Sequence, residues 1–177
     1  MIKPKYFEMV YDDGSPGGNA DAPDEFYYNN ELNLYKLKDL PFSFILDNNI
    51  FEDYIMNNLC FPLMSSRLKL IFDKYTKAAP PFKWLSASIQ SNNKKSVFKY
   101  FLMAFAKKPD VLDFAKTRMI DEDYIYGFFS YSKIKDYAFF PQPRDLDGTL
   151  VIAEELRNEI IKNHITGVSF EKAEVTF

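Results

Sequence analysis

His164 is the only histidine of this chain and Cys60 the only cysteine. A two-histidine metal site is therefore excluded, as is a zinc site of ordinary composition with Cys60 as its one thiolate. Hydrolysis through Ser, His and Asp would need His164 exposed beside an activated serine, and no G-x-S-x-G elbow occurs. Instead His164 sits on the apolar side of a helical run, where it reads as a packed or capping residue. Two groups of acids could also do chemistry. Asp121, Glu122 and Asp123 could supply acid and base for glycosidic cleavage if two of them converged within about 5–10 Å; three adjacent acids are also the composition of a solvated turn. Asp145, Asp147 and Gly148 resemble part of a calcium loop, but a twelve-residue loop counted from Asp145 ends at Leu156 instead of the required glutamate. Gly14, Gly17 and Gly18 are not followed by the lysine and helix of a phosphate loop. No catalytic residue, metal or cofactor is expected.

A chain of 177 residues suits one domain, and 18 Phe with 12 Tyr provide a large core whose tyrosine hydroxyls need partners. Cys60, unable to pair within the chain, suits a reducing compartment and reads as a small buried hydrophobe. The first residues contain no signal-peptide core, and no apolar run approaches the roughly 20 residues that span a bilayer. A cytoplasmic protein without a membrane partner is expected. The net charge of −3 conceals segments of −7 (1–60), +9 (61–120) and −5 (121–177). Either these interleave and neutralise one another or they polarise the surface. Lys94, Lys95, Lys99, Lys107, Lys108, Lys116 and Arg118, with Phe98, Tyr100 and Phe101, could contact nucleic acid. The acidic pI, near 5.3, argues against it.

Alternation predicts a first strand over 6–11. Residues 12–25 hold three of the six glycines, five acids and no base, which predicts a flexible, exposed acidic loop. The spacing of Leu32, Leu34 and Leu37, then Pro41, predicts strand, turn and strand over 31–47. Leu68, Ile71, Phe72 and Tyr75 predict a helix over 63–75 capped by Ser65 or Ser66. A hairpin follows over 82–90 and 96–105, its second strand apolar on both faces and so central. Two further strands are expected over 124–132 and 137–143. The fold class is α+β, a largely antiparallel sheet with a few helices in a single domain over 1–177.

The most ordered stretch is 148–170. A short β-prone run ends at Ile152, and Ala153, Leu156, Ile160, Ile161 and His164 then share one helical face. Glu154 and Glu155 open the helix and Lys162 closes it, as its dipole favours. Gly167 supplies a positive φ, either for the helix exit or for a tight loop into Val168. Val168 and Phe170 give way to Ala173, Val175 and Phe177 on the opposite parity, which requires a register change near Lys172. Helix 151–162 also echoes 63–74, with Leu68 matching Leu156 and Phe72 matching Ile160.

The short strand, the helix opening and the compact I-T-G-V-x-F element resemble the C-terminal signature of bacterial polymorphic-toxin immunity proteins, carried by Val151, Ile152, Glu154, Leu156, Arg157, Ile165, Thr166, Gly167, Val168 and Phe170. Ser65, Ser66 and Leu68 match an earlier helix of such families, so the likeness covers 60–177. Ala153 departs from it, standing where similar sequences place a capping serine. The resemblance implies a non-enzymatic protein whose partner is a cognate toxin, with the signature spent on folding. Contacts are then expected outside it, at Asp21, Asp24, Glu25, Tyr27 and Tyr28, where an acidic run meets two adjacent tyrosines. If that segment is extended, one tyrosine points outward. The alternatives are a carboxylate-dependent enzyme and a nucleic-acid-binding domain.

Overall fold

A computed structural model of the chain describes residues 3–27, 34–93, 95–107, 109–120, 123–142 and 149–177. Strand β1 spans Tyr6–Tyr11, and within the expected loop lie strand β2 (Ala20–Asp21) and helix α1 (Asp24–Tyr27). Strands β3 (Ser43–Leu46), β4 (Tyr54–Ile55) and β5 (Leu63–Met64) precede helix α2 (Ser66–Asp73). Ser65 caps α2, its hydroxyl accepting from the Leu68 amide. The predicted hairpin is β6 (Phe82–Gln90) with β7 (Val97–Phe105). Strands β8 (Arg118–Ile120) and β9 (Asp123–Tyr126) pair with each other, and β10 (Phe129–Ser130) leads into helix α3 (Tyr131–Ile134). Then come β11 (Phe139–Pro141), β12 (Leu150–Ala153), helix α4 (Glu154–Lys162), β13 (Val168–Lys172) and β14 (Val175–Thr176). The architecture is α+β with mostly antiparallel pairing, as expected; the parallel pairs are β3 with β6 and β10 with β14.

Six strands in the order β2-β3-β6-β7-β5-β4 form the larger sheet. It curls until its ends meet: a parallel bridge joins Ala20 to Asn57, just beyond β4, and the Ala20 amide donates to the Met56 carbonyl at 2.8 Å. Its inward residues make one core, with Ala20, Phe44, Leu46, Leu63, Leu102 and others drawn from all six strands. Curling removes free edges that would otherwise recruit other chains.

The smaller sheet, β11-β12-β1-β13, is antiparallel throughout. One face carries Met9, Phe139, Leu150 and Ile152 and meets α2, α4 and the outward Met64, Met103 and Phe105 of the larger sheet. The other carries Tyr6, Phe140 and Val151 onto Phe129 and Ile134. Tyr6 donates its hydroxyl to the Ile134 carbonyl at 3.0 Å, and burial first, then Tyr131 and Asp136, push its pKa up to about 12. Beyond β13 the chain leaves this sheet, and β14 pairs with β10. That change of sheet produces the parity switch expected near Lys172.

Several expectations need correction. Residues 34–36 form a 3₁₀ turn, not a strand, because Leu34 and Leu37 at a spacing of three stack on one side of such a turn; the Leu37 amide donates to the Leu34 carbonyl. Leu32 lies outside the described residues. Tyr131 and Ser132 start α3 instead of ending a strand. In α4 Leu156 and Ile160 are buried, while Ile161 is 47% exposed. His164 is exposed too; it follows the helix at φ 50, so it does not belong to the apolar face. Cys60 is exposed, not buried: it holds φ 57 in a tight loop that Asn57 organises, accepting from the Leu59 and Phe61 amides and donating to the Phe61 carbonyl.

Cross-strand register sets Glu8 of β1 directly opposite Glu171 of β13. Burial, and then the Glu171 charge, raise the Glu8 pKa, although a hydrogen bond from Gln142 opposes them. The folded protein thus holds this proton more tightly than the unfolded chain does, so stability falls as pH rises through the ordinary glutamate range to the raised value. Glu8→Gln is expected to stabilise the protein at pH 7 by roughly 0.2–1 kcal/mol, the scale of a cross-strand pair. Urea midpoints of both proteins at pH 4 and pH 7 check this; a variant without advantage at pH 7 contradicts it.

Candidate functional site

The loop between α4 and β13 is a heavily bonded junction. Asp53, 5% exposed, receives the Ser65 hydroxyl at 2.5 Å on one carboxylate oxygen. Its other oxygen accepts from Arg67 at 2.9 Å and from the Thr166 amide at 3.3 Å. The Thr166 hydroxyl in turn accepts from the Asp53 amide at 3.1 Å, and the Thr166 carbonyl accepts from the Tyr54 amide at 3.1 Å. Arg67 continues to the Asn163 carbonyl at the end of α4. Gly167 follows at φ 76, and a Cβ there would overlap the Tyr54 carbonyl oxygen. Of the two uses weighed for this glycine, the tight loop into Val168 is the one found. One carboxylate thereby ties together the cap of α2, the exit of α4 and strand β4.

Around this junction the signature residues are structural. Leu156 and Ile160 pack with Leu68 and Phe72 in one core, so the two echoing helices lie against each other. Lys74 and Tyr75, just past α2, both donate to Glu159 of α4, and these bonds lower the Glu159 pKa, the Lys74 bond most. Arg157 stacks its guanidinium over the Phe7 ring, 4.4 Å from its centroid, and lies 5.5 Å from that of Phe170. Ala153 provides no capping bond; the Glu154 amide donates instead to the Lys5 carbonyl at 3.0 Å. The ion pairs Arg67–Asp53 and Lys74–Glu159 join the basic middle of the chain to its acidic ends.

The described residues among those expected to touch a partner lie on two adjacent elements, β2 and α1. Asp21 is exposed on β2 and Asp24 is exposed at the start of α1. Of Glu25 and Tyr27 only the backbone is described, and Tyr28 lies outside the described residues. The segment is helical over 24–27, so the argument from an extended tyrosine pair does not apply; Pro23 and the acids after it suit a first helical turn, and the Phe26 amide donates to the Pro23 carbonyl. Phe26 stacks on Phe42, ring centroids 4.2 Å apart. Asp121, Glu122, Asp145, Asp147 and Gly148 are outside the described residues. Among the described residues, no three His, Cys, Asp or Glu side chains gather as metal ligands would, and no helix is long and apolar enough to cross a membrane.

The immunity protein family Imm11 matches residues 46–175, which include the Asp53–Thr166 junction and the whole of the signature. The chain belongs to the Imm11 family. No curated protein matches it. The Imm11 match takes in α2, the β6–β7 hairpin and all of 148–170, and it begins earlier than the likeness read from the sequence at residue 60. Strands β1 and β2 and helix α1 precede the Imm11 match, as do all five expected contact residues. The signature residues whose contacts are described here hold elements together. Asp53 and Arg67, its partners across the chain, gave no local sequence signal, because their bonds join positions up to 113 residues apart.

Proposed function

We propose that this chain neutralises one bacterial toxin by binding it stoichiometrically in the cytoplasm, without turnover. The Imm11 match over 46–175 carries the reading. Such a protein acts by occupation, covering the toxin's site or locking its conformation, with aromatic and apolar anchors giving affinity and charge giving association rate. The buried, bonded junction at Asp53 supports it by fixing a rigid body, which limits the ordering cost of association. The direct test is co-expression with a candidate toxin domain, sought in the gene adjacent to this chain's: growth is restored by the chain if the reading holds, and unrelieved growth arrest despite soluble expression contradicts it.

Asp21, Asp24 and Glu25 are proposed to steer the toxin, with Tyr27 and Tyr28 as anchors beside them. A variant carrying Asp21→Asn, Asp24→Asn and Glu25→Gln is expected to associate with the toxin several-fold more slowly at low salt. The gap should close as ionic strength approaches about 1 M, where screening lengths fall to about 3 Å. Stopped-flow association rates measure this, and equal rates at low salt would remove these acids from the interface.

A further inference from the structure

The outward surface of the curled sheet is covered over only part of its circumference. Tyr54 on β4, Met64 on β5 and Met103 and Phe105 on β7 lie beneath α2, α4 and the smaller sheet. Elsewhere, register aligns Asp21, Ile45, Gln90 and Val97 in one row across β2, β3, β6 and β7. Opposed residues share a face, and the alternate positions Ala20, Phe44, Leu46 and Ile89 fill the interior core, so this row points outward. Ile45 is 41% exposed and Val97 59%. Among the described residues no layer is packed over these two apolar side chains, at the middle and end of the strand row, and such a face is able to take a partner.

The next positions along the hairpin are cationic and aromatic. Lys99 Nζ lies 5.3 Å from the Phe101 ring centroid, and Lys69 Nζ lies 5.5 Å from it and 5.1 Å from that of Trp84. Trp84 is held in place by its indole N–H, which donates to Asp73 at 2.9 Å, and Asp73 also pairs with Lys69 at 2.6 Å. Among the described residues Lys99 makes no ion pair. From Lys74 to Pro109 the chain carries eight lysines and no acid, so the hairpin is a cationic element in a protein of net charge −3.

We infer that this face is where the toxin docks, the toxin presenting an apolar strip to Ile45 and Val97 flanked by carboxylates that meet Lys99 and Lys69. The inference rests on the immunity reading above and adds the contact surface to it. Charge complementarity selects the partner: Lys99 is exposed beside the Phe101 ring and makes no ion pair among the described residues, and Lys69, held by Asp73, borders the same ring, so carboxylates suit this face. A nucleic acid would gain little from the two aliphatic side chains and would be repelled by Asp21 at the end of the same row. Asp21, already proposed to steer, thereby becomes the acidic end of the docking face.

The test uses the full chain and the same candidate toxin domain, with affinities by isothermal titration. Ile45→Asp with Lys99→Glu should weaken binding by at least about 30-fold, the scale of a disrupted central contact. Ile161→Asp, exposed on α4 away from this face, should stay within about threefold of wild type. Thermal melts check that each variant folds. Hydrogen exchange of the unmutated complex gives an independent reading, with slowed exchange expected over 43–46 and 97–101. If wild type binds but the double variant binds within threefold and those amides are unprotected, the docking face is wrong and the immunity reading survives. If wild type does not bind at all, the immunity reading fails and the docking face goes with it. Sedimentation showing a toxin-free dimer that Ile45→Asp dissolves would give the face to a second copy and overturn the proposal. So would binding of a labelled single-stranded oligonucleotide that Lys99→Glu abolishes.

Discussion

Leu156→Ala is expected to cost roughly 2–5 kcal/mol of folding stability, read from urea denaturation midpoints and slopes. Leu156 is fully buried between α2 and the smaller sheet, among Met9, Leu68, Phe72 and Ile152. The change removes the transfer energy of the lost methyl and methylene groups and leaves a cavity lined by side chains of both helices and of β1 and β12. Those elements are fixed by their own pairing, so little collapse into the space is available and the upper half of the range is expected. Ile161→Ala, one residue off the buried face, should cost well under 1 kcal/mol. A cost below 1 kcal/mol at Leu156 would show that α4 is not packed as described.

Asp53→Ala should cost about 3 kcal/mol, since hydrogen bonds to a charged group each contribute roughly 1.5–3 kcal/mol and losses at one carboxylate do not add. The Ser65 hydroxyl, the Thr166 amide and the Arg67 guanidinium lose their acceptor together. Arg67 has a side chain 61% exposed and regains water, so its share is small and the two other donors dominate. Asp53→Asn keeps one carbonyl oxygen and should recover about half the loss, because either the serine or the threonine amide retains a partner. Denaturant melts of wild type and the two variants test the order. Equal stability of all three would show that the junction does not tie α2 to α4.

Periodicity made the local elements legible. Strand β1, the β6–β7 hairpin, and helices α2 and α4 each follow from alternation or three-and-four spacing, and Ser65 emerged as a cap because a hydroxyl before an apolar run has few other uses. The burial of α4 was legible only approximately: neighbouring positions on a helix differ by about 100°, and which of Ile160 and Ile161 faces inward depends on where α2 lies. Cys60 was misread as buried, and His164, which closes α4 as a capping residue, was misplaced on the apolar face, for another reason: both adopt positive φ, and residue type alone forecasts neither. The closure of the larger sheet through Ala20 and Asn57 could not be read locally at all; it is a long-range bridge between a two-residue strand and a loop.

The candidate surface was partly legible. Asp21 was singled out on charge, but its place in one row with Ile45 and Val97 is set by register between strands whose row members lie up to 76 residues apart in sequence. In Ser43–Leu46 three apolar residues follow one another, so alternation could not show which of them points outward. The resemblance carried the family assignment because the signature is a fold-determining junction. Its Thr166 bonds to Asp53 and Tyr54, and its Gly167 lies against the Tyr54 carbonyl.

The most direct test of the proposed immunity by occupation is a titration of a candidate cognate toxin's activity with this chain, at toxin concentrations well above the dissociation constant. Stoichiometric capture predicts a linear fall in activity that reaches its floor at about one chain per toxin, with the intact toxin recovered on dissociation. Inactivation by far less than one equivalent, or a toxin left chemically altered, would show turnover and contradict the account.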